Sequence, residues 1–208
     1  MYFLLQSKQT STRTVEGGFG LVELMVTISI MMLLSAIILV RNTAFNGAVL
    51  LRSQAYEVAF AIRRAQLMAV SGNNSGTTNV IQQYGVYFDI STPNAYFIFH
   101  DVNADGKWNP PDVKIGTLGT IDKRFKIAKI SNSKLISGSS ITETGVGFNV
   151  TFRRPNFDGI FENAKGTYFS GPVYIDVAQV NAAANDGSAG AVRRVEVGAT
   201  GEISVTGY

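Results

Sequence analysis

Hydrophobic positions follow three successive patterns along this 208-residue chain. From 19 to 40 the chain is almost entirely apolar, and Glu23 is its one ionisable side chain. From 51 to 69, apolar and small residues recur every three or four positions, which predicts an amphipathic helix ending near Ser71. Beyond residue 72 the period becomes two, as in half-buried strands. The order predicts an α+β fold, in which a long N-terminal helix packs on an antiparallel β-sheet domain.

These patterns divide the chain into four segments. They are a short leader at 1–18, a transmembrane helix at 19–41, the amphipathic half of the same helix at 42–72, and a globular β domain at 73–208. The buried stripe of the amphipathic half is predicted to consist of Leu51, Ala55, Val58, Ala59, Ile62, Ala65, Gln66 and Ala69. Strands are predicted at 80–90, 95–100, 113–118, 125–130, 146–152, 168–177, 192–197 and 202–205, with a hairpin turn at 198–201.

The apolar run is long enough to cross a bilayer, which takes roughly 20 helical residues. An ordinary secretory signal is one alternative, but its apolar core is usually about 7–15 residues and carries no glutamate. A plain membrane anchor is the other alternative, and it explains the length without giving Glu23 a role. A carboxylate within such a helix is costly, so a specific partner is expected for it.

Gly18-Phe19, followed by Glu23 and the apolar helix, resembles the processing signature of type IV prepilins and type II secretion pseudopilins. The resemblance implies that a prepilin peptidase cuts after Gly18 and methylates the new amino terminus at Phe19. It also implies that Glu23 acts in assembly as the counter-charge for a neighbouring subunit's amino terminus, because a buried ammonium requires one.

The implied function is that of a structural subunit, a minor pilin or pseudopilin, of a type IV pilus or type II secretion pseudopilus. Its partners would be other subunits in a helical filament, the prepilin peptidase, the inner-membrane assembly platform and, before assembly, membrane lipids. Lys8 and Arg13 precede the apolar run, which predicts an N-terminus in the cytoplasm and a C-terminal domain outside. The expected location is the bacterial cytoplasmic membrane, with a single pass, and then an extracellular or periplasmic filament.

A second resemblance concerns the amphipathic half. Residues 52–69 are similar to the helix of the GspH/FimT group of minor pilins and pseudopilins, although any amphipathic helix that covers a sheet has this periodicity. Some minor pilins of this kind bind DNA or surfaces, which is the alternative function. The residues for DNA contact would be Lys123, Arg124, Lys126 and Lys129, acting on phosphates. A solvated strand face explains the same residues, and the net charge is only +3.

Residues 101–112 fit the calcium-loop pattern D-x-[DN]-x-[DN]-G with an acidic residue at position twelve. Side-chain oxygens at alternate positions can converge on one Ca²⁺, and the glycine at position six permits the sharp turn. The spacing is similar to that of dockerin-type loops, but predicted strands flank it in place of helices. An Asx-rich turn between strands is the alternative. The candidate ligands are Asp101, Asn103, Asp105, the Lys107 carbonyl, Asn109 and Asp112.

Composition gives little support to catalysis. The chain contains no cysteine, which excludes a disulfide, a thiolate metal site and a cysteine nucleophile. Neither a G-x-S-x-G elbow nor a phosphate-binding G-x-x-x-x-G-K-[ST] loop occurs. The one histidine, His100, ends a predicted strand, where a capping or surface role is expected. A non-enzymatic protein is therefore predicted, and a membrane-anchored enzyme with a pocket of perturbed titratable groups is the alternative.

Overall fold

One long helix opens the described part of the chain. The computed structural model describes residues 18, 20–71, 83–89, 91–132, 147–153, 157–181 and 192–207, with only the backbone described at 40–46. Helix α1 spans Leu21–Ser71, so its predicted end is confirmed. The chain divides into two compact units, Met1–Ala44 and Phe45–Tyr208, and α1 contributes to both.

In the first unit, α1 is largely apolar and exposed from Leu21 to Leu39. Within the described residues, Leu21–Leu39 is the one helical stretch long and apolar enough to cross a membrane, and none of it is buried. Leu, Ile and Met side chains are therefore exposed on every side of the helix between Leu21 and Leu39. Such a stretch can serve as a membrane anchor or as a signal sequence.

In the second unit, the described strands form two antiparallel sheets. Sheet A has the order β3-β2-β1-β5-β6-β7, and sheet B the order β10-β9-β8-β4. The described strands are β1 (Gln83–Asp89), β2 (Ala95–Asp101), β3 (Val113–Thr120), β4 (Phe125–Ser131), β5 (Gly147–Arg153), β6 (Gly159–Asn163), β7 (Tyr168–Phe169), β8 (Val173–Gln179), β9 (Val192–Val197) and β10 (Ile203–Gly207).

The core lies where the second half of α1 meets both sheets. Every residue of the predicted stripe is buried, from Leu51 to Ala69, and Gln66 among them donates from Nε2 to the Gly201 carbonyl oxygen at 2.8 Å. Sheet A contributes Val86 and Phe148 to the same cluster, and sheet B contributes residues such as Ile175. The predicted packing of the helix on an antiparallel β domain therefore holds in this unit, with two sheets in place of one.

Three details differ from the predicted strands. The strand predicted at 168–177 is two strands, β7 and β8, because Gly171 adopts a positive φ of 97° and the chain moves from sheet A to sheet B. Strand β6 was not predicted at all. The strand predicted at 146–152 is described from Gly147, and it is buried on both faces as far as Phe152. Its polar residues Asn149 and Thr151 hydrogen-bond to the segment that follows β2.

Sheet B carries a buried ion pair between neighbouring strands. Asp176 on β8 lies directly opposite Arg194 on β9. Arg194 donates from Nε to Asp176 Oδ1 at 2.6 Å and from Nη2 to Oδ2 at 2.7 Å, and both residues are almost fully buried. Two parallel hydrogen bonds of this kind match the planar guanidinium to the carboxylate.

Candidate functional site

The predicted calcium loop connects β2 to β3 at the edge of sheet A. Asp101 is the last residue of β2, and β3 begins at Val113, so residues 102–112 form the connection that we call the cover loop. Asp101 is fully buried, whereas Asp105 and Asp112 are partly buried. A positive φ of 87° at Gly106 agrees with the expected requirement for glycine at position six.

Backbone amides of the loop point at the predicted ligands. Asp101 accepts from the N–H groups of Asp105 at 3.2 Å and Gly106 at 2.7 Å. Asp112 accepts from the N–H groups of Val102 and Asn109, each at 2.9 Å. These hydrogen bonds turn the carboxylates inward, and they are also the bonds that an Asx-rich turn makes on its own.

Three of the predicted ligands converge. One carboxylate oxygen from each of Asp101, Asp105 and Asp112 lies within 4.8 Å of the other two, and we call these residues the acidic triad. Two ligands that bind one Ca²⁺ at about 2.3–2.6 Å are at most about 5 Å apart, so this spacing fits a shared calcium ion. The amides of Asn103 and Asn109 lie beside the triad, hydrogen-bonded to each other and to Asp105.

The electrostatics of the acidic triad favour a cation. The pKa of Asp101 is raised from 3.8 to about 6, chiefly because burial removes its carboxylate from water. The hydrogen bond from Gly106 lowers the pKa in part, and the nearby charges of Asp112 and Asp105 raise it further. A divalent cation at this position would offset both the desolvation and the repulsion.

The cover loop also buries polar side chains of sheet A that sequence patterns did not single out. Asn149 on β5 accepts from the Trp108 N–H at 3.0 Å and donates to the Glu162 carbonyl oxygen at 3.2 Å. The Trp108 ring contacts the edges of Phe97 and Phe99 on β2, with ring centroids 5.0 and 5.7 Å apart. An aromatic residue inside a polar loop was the available signal for this docking.

The predicted processing and assembly residues lie at the start of α1. Gly18 is described and exposed, and Phe19 lies outside the described residues. Glu23 is exposed in the first turn of α1. An acid in the first turn also interacts favourably with the helix dipole, which is a structural role that needs no partner subunit.

The four basic residues predicted for DNA contact do not form one exposed face. Lys123 and Arg124 are exposed, Lys126 is partly buried, and Lys129 is only 4% exposed. The guanidinium of Arg124 pairs with Asp122 through two contacts of 3.0 Å, and this pairing lowers the Asp122 pKa to about 2. Much of the local positive charge is therefore neutralised or withdrawn from the surface.

A cavity of about 490 Å³ lies in the second unit between α1 and the edge strand β3. Tyr56 and Phe60 form its helical wall, and Ile115 and Thr117 line the opposite side. The wall also carries Glu57 and Arg64 among mostly apolar side chains, a lining that fits apolar groups better than it fits proton transfer.

Comparisons of the chain with family models, with curated proteins and with solved structures gave no match.

Proposed function

We propose that the chain is a structural subunit, of the minor-pilin or pseudopilin kind, that is processed after Gly18 and assembles through its N-terminal helix. The observation that carries the proposal is the exposure of the whole apolar stretch Leu21–Leu39. Exposed apolar surface of this extent is unfavourable in water, so it requires lipid before assembly and neighbouring helices afterwards.

Two further observations support this proposal. Glu23 is the one ionisable residue between Phe19 and Val40, where an unpartnered charge is costly in a membrane or a packed filament. The second unit has its own hydrophobic core against the remainder of α1. The β domain can therefore fold independently of what surrounds the apolar stretch.

Mass spectrometry of the mature protein from its native host tests the processing. We expect a chain that begins with N-methylated Phe19, and an intact leader would contradict the proposal. Glu23→Ala should leave the β domain folded while it abolishes incorporation into filaments. Glu57→Ala is the matched control, because Glu57 is an exposed acid on the second half of the same helix. Equal filament yields from the two variants would also contradict the proposal.

We further propose that residues 101–112 bind Ca²⁺, with Asp101, Asn103, Asp105, the Lys107 carbonyl, Asn109 and Asp112 as ligands. The convergence of the three carboxylates within 4.8 Å favours it. Calcium would neutralise the acidic triad and fix the cover loop on sheet A. Because the chain has no cysteine and cannot form a disulfide, calcium would be the cross-link that holds this loop.

Denaturation of the full chain in detergent micelles, with and without calcium, tests this second proposal. Extracellular calcium modules bind with Kd of about 10⁻⁴–10⁻³ M, so 10 mM calcium should raise the free energy of unfolding by about 1.4–2.7 kcal/mol. Asp105→Ala should remove the increase, whereas Asp122→Ala, outside the loop, should retain it. An unchanged unfolding curve of the wild-type chain at 10 mM calcium would refute the proposal.

A further inference from the structure

Lys107, the seventh position of the motif 101–112, contacts a buried carboxylate from another strand. Glu162 on β6 is only 1% exposed, and neither of its carboxylate oxygens has a hydrogen-bond partner among the described residues. Its one ion pair in this part of the chain is with Lys107, whose Nζ lies 3.7 Å from Glu162 Oε1. A buried carboxylate with few polar partners is costly, so the Lys107 ammonium is its main counter-charge, and the Tyr168 hydroxyl also interacts with it.

The turn around Lys107 packs closely against the same carboxylate. A Cβ placed on Gly106 would lie 3.3 Å from Glu162 Oε2, which leaves no free space between the turn and β6. Tyr168 on β7 donates to the Asp105 carbonyl oxygen at 3.4 Å. The segment 105–107 therefore packs against the hairpin of β6 and β7, which lies outside the motif and about 50 residues later in the chain.

The local charge balance gives this contact a second consequence. The acidic triad and Glu162 together supply four carboxylates, and Lys107–Glu162 is the one ion pair that reaches any of them among the described residues. The Lys107 ammonium pairs with Glu162 and with none of the three triad carboxylates. The acidic triad is left available for an external cation.

We propose that Glu162 is a positioning residue of the calcium site and acts through Lys107. The ion pair would fix the backbone at the seventh position, where the Lys107 carbonyl is the expected ligand, so that this oxygen is in place before calcium arrives. The inference rests on the calcium proposal above. It adds a residue from β6, outside the 101–112 motif, whose side chain determines the affinity of the loop without contacting the ion.

Substitutions of Lys107 and Glu162 distinguish a charge effect from positioning by the direction in which each changes the calcium affinity. Lys107→Met removes a positive charge close to the acidic triad, so an effect of charge alone would tighten calcium binding. Glu162→Gln removes a negative charge and would weaken it by the same reasoning. Positioning predicts weaker binding in both variants, because each breaks the ion pair that holds the seventh position.

Terbium(III) bound to the full chain in detergent micelles provides the measurement. Trp108 is the only tryptophan of the sequence and lies inside the loop, so it can sensitise terbium luminescence. Competition with calcium gives the calcium Kd, and emission lifetimes in H₂O and D₂O give the number of water molecules on the ion. Near-ultraviolet circular dichroism establishes that each variant is folded.

We expect Glu162→Gln and Lys107→Met each to raise the calcium Kd by about tenfold, as supporting residues around metal ligands do. Each should add about one water to the bound terbium, where the Lys107 carbonyl is lost. The double variant should match the single variants, Lys107→Arg should retain most of the affinity, and Lys126→Met should match the wild-type chain.

Each other result contradicts a definite part of the proposal. Tighter binding by Lys107→Met would mean that the pair acts through charge and not through position. A lower melting temperature with unchanged Kd and hydration would reduce Glu162 to a purely structural role. If the wild-type chain binds neither calcium nor terbium, the calcium proposal fails and the positioning role fails with it.

Discussion

The apolar half of α1 and the cover loop depart from the usual arrangement of a folded protein in opposite directions. Leu21–Leu39 exposes large apolar side chains, and none of this stretch is buried. Beneath the cover loop, by contrast, Asp101, Asn149 and Glu162 are polar or charged and almost completely buried. One region is apolar where water would be expected, and the other is polar where a core would be expected.

Each departure indicates what the region needs. Apolar surface outside a core requires a non-aqueous neighbour, such as lipid or another helix. Buried carboxylates require protons, hydrogen bonds or cations. The two regions therefore point to partners of different chemistry, and they can be perturbed separately.

Leu33→Asp should have the largest effect on the first region. Leu33 is 62% exposed on the apolar half of α1, and an aspartate near the middle of a membrane helix costs about 3 kcal/mol of insertion free energy. We expect most of the chain to move from the membrane fraction to the soluble or degraded fraction, measured by alkaline extraction and immunoblotting.

Leu67→Asp is the matched control for that experiment. Leu67 is 60% exposed on the same helix, but in the unit that packs on the sheets. Since the site is already solvated, the substitution should change the unfolding free energy by less than about 0.5 kcal/mol and leave membrane association intact. Equal loss of membrane association in both variants would contradict the expectation that only the apolar half of α1 associates with the membrane.

The stability of the second region should depend on pH, because the buried Asp101 carboxylate requires a proton or a cation. In the absence of calcium, the folded-state pKa of Asp101 is about 6, above its ordinary value of 3.8. The folded chain therefore binds this proton more tightly than the unfolded chain, and stability falls as pH rises from about 4 to about 6. The expected loss is about 2–3 kcal/mol.

Urea denaturation of the full chain at a series of pH values, monitored by Trp108 fluorescence, measures this loss. Asp101→Asn should flatten the slope, because the titrating carboxyl is absent. Under the calcium proposal, millimolar calcium should also flatten it, because the bound ion would stabilise the ionised carboxylate. A wild-type slope that survives in Asp101→Asn would assign the titration to another group.

Asn149→Ala should have a smaller effect on the same region. It removes the acceptor of the Trp108 N–H and the donor to the Glu162 carbonyl oxygen, so the cover loop loses a buried connection to sheet A. The expected loss is about 1–2 kcal/mol in urea denaturation. Thr27→Val is the polar control in the first region, where the exposed hydroxyl donates only to Leu24 of its own helix, and its effect should be near zero.

The periodicity of apolar residues predicted much of the fold, because the residues on one face of a helix or strand are buried together. The stripe from Leu51 to Ala69 repeats every three or four residues, and all of it is buried. The loop motif is likewise local, because its spacing within residues 101–112 produces the turn that brings the acidic triad together. Both signals lie within one short stretch of sequence, where spacing determines which side chains share a face.

The features that were missed depend on contacts between distant segments. Thr151 and Asn149 alternate with Phe148 and Val150, which predicts a solvated polar face on that strand, but the cover loop buries this face. Glu162 belongs to no sequence motif, and its ion-pair partner Lys107 lies 55 positions earlier in the chain. Periodicity within one strand contains no information about which loop will cover it.

The ion pair of sheet B has a consequence for how the second unit finds its strand alignment. Asp176 and Arg194 are opposite each other in the pairing of β8 with β9. If β9 slid by two residues, the apolar faces would still match, but two buried charges would lose their alignment. Because an unpaired buried charge costs about 3–5 kcal/mol, the ion pair disfavours this shifted register of β8 and β9, even though its apolar side chains would pack well.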